Sequence, residues 1–361
     1  MPCFFRDGYQ MQPRVIRPVI SPRHILLLAV LTVVLYAEWW DLAQHARAWP
    51  TLPGEAEHGS LRLLLVADPQ LQGELTEPAW PLGTLTRWDS DRYMRQGFGR
   101  AFQHVMPDAV VFLGDVLDEG SVASPEQYAG YIRRFWSIFG FPRNTKMVAV
   151  PGDNDIGGEG REPVKPDKVQ AFKSVFGAKT STIVDFVQFY KVWTIPPSSN
   201  HSAPPLTDGI NVLVSHFPLT SSVSTLTRET LLRLRVNLIF SAHSHTSYVA
   251  IRRKRSGHSL RMESLTGGRL ERLNLEDDNV VEIVVPTCSY RMGVRTMGYG
   301  AAVIDREGGL SYAVLWLPSR FKHLHIYLAV LLCVCVVLTA YLCNRRGDRR
   351  RSIHRSKMAG V

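Results

Sequence analysis

The 361-residue sequence predicts an α/β fold of two packed β-sheets, flanked by an N-terminal and a C-terminal transmembrane helix. Three observations predict it. Short, near-continuous apolar runs alternate with amphipathic stretches through the first two thirds of the chain, as strands buried on both faces and covered by helices do. After residue 280 the runs follow one another more closely, which predicts a second sheet packed on the first. Apolar segments beside arginines stand near both ends.

Residues 1–24 read as a cytoplasmic tail and residues 25–41 as the first span, uncharged up to Glu38 and ending in aromatics. This segment is slightly short, so a cleaved signal peptide competes with an uncleaved signal anchor. Leu35-Tyr36-Ala37 puts a leucine where cleavage needs a small residue, which favours the anchor. The body, residues 42–320, opens with strands at Leu61–Ala67, Ala109–Leu113, Met147–Val150, Asn211–Val214 and Leu238–Phe240. Ser124-Pro125-Glu126-Gln127 supplies an N-cap, an N1 proline and a capping-box glutamine for a helix through Tyr128–Phe139. Lys165–Phe176 is a second helix, stopped by Gly177, and Leu226–Arg235 a third. Val281–Val285, Gly300–Ile304 and Leu310–Leu317 read as later strands, the last two joined at Glu307-Gly308-Gly309. The second span, residues 325–343, contains IYLAVLLCVCVVLTAYL, long enough to cross a bilayer. A basic tail, residues 344–361, follows.

The formal charge of +10 is concentrated at the ends. The tails carry eleven arginines and lysines against Asp7 and Asp348, leaving the body near neutral. That distribution argues against a nucleic-acid partner, whose binding stripe would lie on the folded domain. Arginines beside apolar runs instead predict cytoplasmic termini and a body in the secretory lumen. Asn200-His201-Ser202 is a glycosylation sequon in keeping with that side. The body holds one cysteine, Cys288, so no disulfide can form within it.

Chemistry enters directly after the strands. Leu61–Ala67 is followed by Asp68-Pro69-Gln70, Ala109–Leu113 by Gly114-Asp115 with Asp118 beyond, and Met147–Val150 by Pro151-Gly152-Asp153-Asn154-Asp155. Asn211–Val214 is followed by Ser215-His216, and Leu238–Phe240 by Ser241-Ala242-His243-Ser244-His245. Each element alone is more often a turn or an ordinary histidine. Five in order, each at a strand's carboxyl end where open α/β sheets bind ligands, predict one site. Carboxylate, amide and imidazole without thiolate suit Mn²⁺, iron or Zn²⁺. A pair of such ions would serve in-line displacement at phosphorus.

In this order the motifs resemble the calcineurin-like metallophosphoesterase superfamily, whose pattern runs D-x-H, G-D-x-x-D, G-N-H-D, a lone His, then G-H-x-H. V-A-D-P-Q-L, F-L-G-D-V-L-D-E-G and P-G-D-N-D-I-G-G are similar to its GPI-anchor-remodelling branch, the metallophosphoesterase 1 and cell-division-control-1 group. The resemblance implies an α/β/β/α sandwich with Asp68, Gln70 and His245 on a first ion and Asp115 bridging. Asp153, His216 and His243 would hold the second, with Mn²⁺ the expected metal. It also implies an endoplasmic reticulum or early Golgi enzyme that removes ethanolamine-phosphate from a mannose of GPI anchors. Its substrate partner would be the GPI glycolipid or a GPI-anchored protein, which then leaves the endoplasmic reticulum.

Three departures bear on the chemistry. Gln70 replaces a histidine with a weaker neutral donor. Asp153 replaces an asparagine, adding a negative charge beside the second ion. Asn154 stands where the family carries its catalytic histidine, and an amide cannot deliver a proton to a leaving alkoxide, a contribution worth roughly 10²–10⁴-fold. Asp155 is the remaining candidate to carry that proton. The alternatives to a GPI phosphodiesterase are therefore a phosphoesterase with another lumenal substrate and a metal-holding, catalytically weak GPI-cargo adaptor.

Overall fold

The computed structural model describes residues 22–53, 59–160, 162–193, 203–220 and 224–358. The sequon at Asn200 and most of the N-terminal tail lie outside the described residues. Two units are present, residues 39–323 and a terminal unit formed from the chain's two ends. In the terminal unit, helix α1 (Pro22–Leu35) runs into a π-helical turn, Tyr36–Trp40, and helix α8 (Arg320–Met358) carries the C-terminal apolar segment. The helical stretches His24–Arg47 and Arg320–Gly347 are long and apolar enough to cross a membrane. The second helix does not stop at the apolar boundary but continues through the arginine-rich tail to Met358.

The larger unit begins with helix α2 (Asp41–Arg47) and contains two mixed sheets. The first is built on three parallel strands, β1 (Leu61–Val66), β2 (Ala109–Phe112) and β3 (Lys146–Ala149). Helix α3 (Leu82–Val105) connects β1 to β2, and α4 (Pro125–Ile138) connects β2 to β3. Helices α5 (Asp153–Ile156) and α6 (Pro166–Phe176) then lead to the second sheet. That sheet holds the hairpin β4 (Ser181–Val184) and β5 (Val187–Lys191), then β6 (Ile210–Val214), helix α7 (Thr225–Arg233) and β7 (Leu238–Ser241). Strands β8 (Tyr248–Arg253), β9 (Ser259–Ser264) and β11 (Asn279–Val284) complete it. Strands β10 (Glu271–Asn274), β12 (Gly298–Ile304) and β13 (Gly309–Trp316) return to the first sheet. The orders are β10-β13-β12-β1-β2-β3 and β4-β5-β6-β7-β11-β8-β9.

The two expected sheets are present, but they do not divide at residue 280. β11 pairs parallel to β7, and β12 pairs antiparallel to β1, so both sheets mix early and late strands. An apolar run reports that both faces of a strand are covered and says nothing of which strand lies beside it. The alternation along β1 fixes the layers. Leu63 and Leu65 enter the core between the sheets with Val111, Val214 and Phe240, while Leu64 and Val66 face the helix-side core with Phe98, Phe135 and Phe139. Leu213 and Ile239 pack outward with Leu231 of α7. The order is helix, sheet, sheet, helix. Ser124 caps α4 as expected: its hydroxyl accepts from the Gln127 amide at 3.2 Å and the Gln127 side chain accepts from the Ser124 amide at 2.9 Å.

Candidate metal centre

Because β1, β2 and β3 run parallel, as do β6 and β7, the segments after their carboxyl ends share one edge of the sandwich. Asp68 and Gln70 follow β1, Asp115 follows β2, Asp153 opens α5 after β3, His216 follows β6, and His243 and His245 follow β7. All seven sequence-predicted ligands are linked there by short contacts. His216 Nε2 lies 3.1 Å from Asp153 Oδ1 and 3.6 Å from Asp115 Oδ2. His243 Nδ1 lies 3.4 Å from Asp153 Oδ1 and 3.2 Å from His216 Nε2. On the other side, His245 Nε2 is 4.0 Å from Asp68 Oδ1, and the Gln70 amide nitrogen is 3.0 Å from Asp115 Oδ2 and 3.4 Å from His245 Nε2. A half-turn of that amide exchanges its nitrogen for the oxygen.

Local backbone choices make this convergence possible. Asp68, Gln70, Asp115, His243 and His245 all have φ between 40° and 64°, five of the eight non-glycine residues with positive φ among the described residues. Such strain gathers where a side chain must be re-aimed for function. Two glycines leave room for it. At Gly114 (φ 93°) a Cβ would come within 2.7 Å of His216 Nδ1, and at Gly152 within 2.0 Å of Asp115 Oδ1.

The donor set fits divalent metal. Asp68 Oδ1 and Oδ2 and Asp153 Oδ1 are buried oxygens with no hydrogen-bond donor among the described residues. Asp153 Oδ1 is close to two imidazole nitrogens but not aligned for a hydrogen bond with either. Buried anionic oxygens without donors are costly unless a cation meets them. Two groups have ligand atoms mutually within 4.8 Å: Asp153, His216 and His243, and Asp68, Asp115 and His216. His216 Nδ1 is hydrogen-bonded to the Leu113 carbonyl at 2.8 Å, which leaves Nε2 as its ligating atom.

Charge crowding tunes the metal-free site. Burial, with Asp115 beside it, pushes the Asp68 carboxyl up to about 7 against the pull of His216. Burial raises Asp115 as well. Burial alone would lower the His216 pKa, but Asp115, Asp153 and Asp68 outweigh it and hold it at about 10. Burial opposes ionisation of Asp153 too, yet the His216 and His243 imidazoles hold its carboxyl far below the usual range.

The two candidate catalytic residues are placed differently from each other. Asn154 reaches the site: its backbone N–H donates to Asp115 Oδ1 at 3.0 Å and its side-chain amide to Asp115 Oδ2 at 2.8 Å. Asp155 is turned into the loops. Its carboxylate accepts the backbone amides of Val116, Leu117 and Gly152 at 2.9–3.1 Å. Burial raises its pKa to about 7, but its oxygens are engaged by backbone, so the structure gives it the role of a loop clamp in place of the expected proton carrier.

Two further carboxylates shape the site without entering it. Glu282, fully buried in β11, accepts the amides of Leu219 and Thr220 at 2.8 Å each and the Ser241 hydroxyl at 2.8 Å. It ties the segment after His216 to the strand end before His243. Its signal in the sequence is one acid inside the apolar run Val280–Val285, where an unpaired charge would not be tolerated. Glu119 accepts the amides of Glu74, Leu75 and Thr76 and the Tyr131 hydroxyl, fixing the loop that follows Gln70. Beside Asp153 and His216 opens a cleft of about 350 Å³, walled by Ile156, Val164, Val192, Trp193 and Phe217.

Comparison with known proteins decides the family. The calcineurin-like phosphoesterase profile matches residues 61–247, just over half of the chain. The chain belongs to the calcineurin-like phosphoesterases. That match spans every candidate ligand from Asp68 to His245. Metallophosphoesterase 1 of Danio rerio is 28% identical over 180 residues, 49% of this chain and 45% of that protein. Metallophosphoesterase 1 of Pongo abelii is 30% identical over 169 residues, 44% of this chain and 41% of that protein. This calcineurin-like phosphoesterase thus spans under half the length of the curated relatives it matches. Among solved structures, purple acid phosphatase PPD1 from yellow lupin aligns over 73% of this chain and 53% of its own, with 11% identity and TM-score 0.44. A dimetal phosphatase from Danio rerio aligns over 70% and 98%, with 11% identity and TM-score 0.40.

Proposed function

We propose that this calcineurin-like phosphoesterase is a membrane-anchored phosphodiesterase holding two divalent ions, Mn²⁺ foremost, with iron or Zn²⁺ as alternatives. The observation that carries the hydrolase reading is the convergence of three donor-less buried carboxylate oxygens with three imidazoles at one sandwich edge. Divalent ions bound there supply Lewis acidity and charge neutralisation at phosphorus. The chain's own groups do the positioning. The Leu113 carbonyl fixes the His216 ring, Asn154 orients both oxygens of Asp115, and the cleft beside Asp153 supplies a partly apolar wall for a substrate.

The substrate we propose is the ethanolamine-phosphate branch on a GPI-anchor mannose, removed in the lumen of the endoplasmic reticulum or early Golgi so that GPI-anchored cargo can leave. Its support is the motif resemblance, the metallophosphoesterase 1 relatives, and an apolar helix before and after the body along the chain. With both spans in place and both termini cytoplasmic, the site faces the lumen. Cells lacking the protein should accumulate GPI glycans with extra ethanolamine-phosphate; unaltered glycans by mass spectrometry would remove the GPI assignment and leave the hydrolase to be tested separately.

Asn154 favours a second reading, a metal-holding GPI-cargo adaptor with little turnover, because the amide at this position donates to Asp115 and has no proton to give a leaving group. The Asn154→His substitution separates the two. The adaptor reading expects metal-loaded wild type without turnover beside a variant that gains it. The phosphodiesterase reading expects turnover from the wild type.

A further inference from the structure

We infer that the exposed face of helix α3 is a third contact with the lipid surface, a headgroup-level docking face additional to the two apolar helices; the inference rests on reading those helices as membrane spans. Leu82, Leu85 and Trp88 recur at three-residue spacing on one side of α3, with Trp80 just before the helix. Trp80 is 83% exposed, Leu85 57% and Trp88 58%. The opposite side of the helix is buried through Ser90, Met94, Phe98 and Ala101, so this face is not one the core has yet to cover. Two tryptophans and two leucines in a row make an apolar surface that a water-facing body does not ordinarily display.

The covering partner is indicated by where the chain leaves the body. Asp89, the neighbour of Trp88, is buried against Arg320, the first residue of α8, at 3.0 Å, and accepts the Tyr290 hydroxyl at 2.9 Å. Tyr93, one turn further on, donates to the Pro318 carbonyl at 2.9 Å. The exit toward the C-terminal apolar helix is therefore pinned to the turn of α3 that carries Trp88. The entry from the first apolar helix is fastened to the same place. Asp41 lies 2.7 Å from His323, and Trp39 and Trp40 just before it are half exposed. Both chain ends of the body thus lie beside α3, and where those ends lead into membrane spans the neighbour of a face there is the headgroup layer. The chemistry agrees. Tryptophan prefers the membrane interface, Arg92 lies 5.7 Å over the Trp88 ring, and basic groups beside such rings complement lipid phosphates. A docked α3 would restrain the body at the bilayer, where a lipid-anchored phosphodiester is presented.

The test uses the full chain in nanodiscs of phosphatidylcholine and phosphatidylserine, with Cys3, Cys333, Cys335 and Cys343 replaced by serine. Nitroxide labels are placed by Leu85→Cys or Trp88→Cys, by Leu331→Cys in the apolar part of α8, and by Ile183→Cys at the exposed position of strand β4. The expected result is oxygen collision exceeding nickel-chelate collision at Leu331 and, at shallower depth, at Leu85 and Trp88, with the reverse at Ile183. Labels at Leu85 and Trp88 as open to the chelate as Ile183, with Leu331 lipid-exposed, would overturn the inference and leave the spans standing. A chelate-accessible Leu331 would overturn both. Spin–spin broadening at Leu85 that disappears on dilution with unlabelled chain would assign the face to a second copy and overturn the lipid contact.

Discussion

Asp68, Gln70, Asp115, His243 and His245 hold their backbones in the left-handed region, at a cost of about 1–3 kcal/mol each. That expense places anionic oxygens and imidazoles within contact distance, which in the metal-free chain adds a charge penalty. This penalty depends on pH. Asp68 moves up from 3.8 to about 7, Asp155 likewise to about 7, and His216 up from 6.5 to about 10. These three groups therefore bind more protons in the folded metal-free chain than in the unfolded one between about pH 4 and 10, and their contribution to stability falls as pH rises across that window. The His216 contribution is complete below 6.5 and lost as pH passes about 10. The Asp68 and Asp155 penalties grow between about 4 and 7. Asp153, held low, acts in the opposite direction only in strong acid. In chelator, the melting temperature should be higher at pH 5.5 than at pH 8.5, and saturating Mn²⁺ should raise stability most at the higher pH, where His216 and Asp68 give up protons to the metal. A chelated protein that grows more stable toward pH 8.5 would show that these groups are not crowded as described.

At the scale of elements, the site is a product of strand direction. Parallel β1–β3 and β6–β7 send their carboxyl ends to one edge, and this much was legible in the sequence, because each apolar run is followed at once by its candidate ligand. Helix α3 was not legible: Gly97, Gly99 and an exposed apolar face blur its periodicity across 24 residues. Nor were the short β4, the largely exposed β9 and the four-residue β10, which lack a buried alternating face. Sheet membership was hidden as well, since Val281–Val285 looks the same whether it joins β7 or β12. Glu282 is the element-scale test. Glu282→Gln places an NH₂ among the Leu219, Thr220 and Ser241 donors it now accepts. Mn²⁺ affinity should fall on the order of 10–100-fold, with the spin-coupled pair signal in electron paramagnetic resonance giving way to that of isolated Mn²⁺. Unchanged affinity and coupling would limit Glu282 to holding the fold.

At the scale of the whole molecule, a near-neutral body carrying an acidic and imidazole-rich edge is bounded by apolar helices and basic tails. The sandwich and the family were legible from five motifs in order, because that order is the path of the chain through the two sheets. The exchange of catalytic histidine for Asn154 was legible as a letter, but its consequence was not: only the structure shows the amide donating to Asp115, and Asp155 occupied by backbone. The activity proposed for this edge is hydrolysis of a phosphodiester by two bound metal ions. Its most direct test is metal analysis of the full chain together with phosphodiester hydrolysis, beside Asp115→Ala. The predicted result is two divalent ions per chain with metal-dependent turnover in the wild type, and loss of both the second ion and turnover in the variant. A folded wild type that binds no metal, or a variant that keeps two ions and full turnover, would overturn the proposed activity.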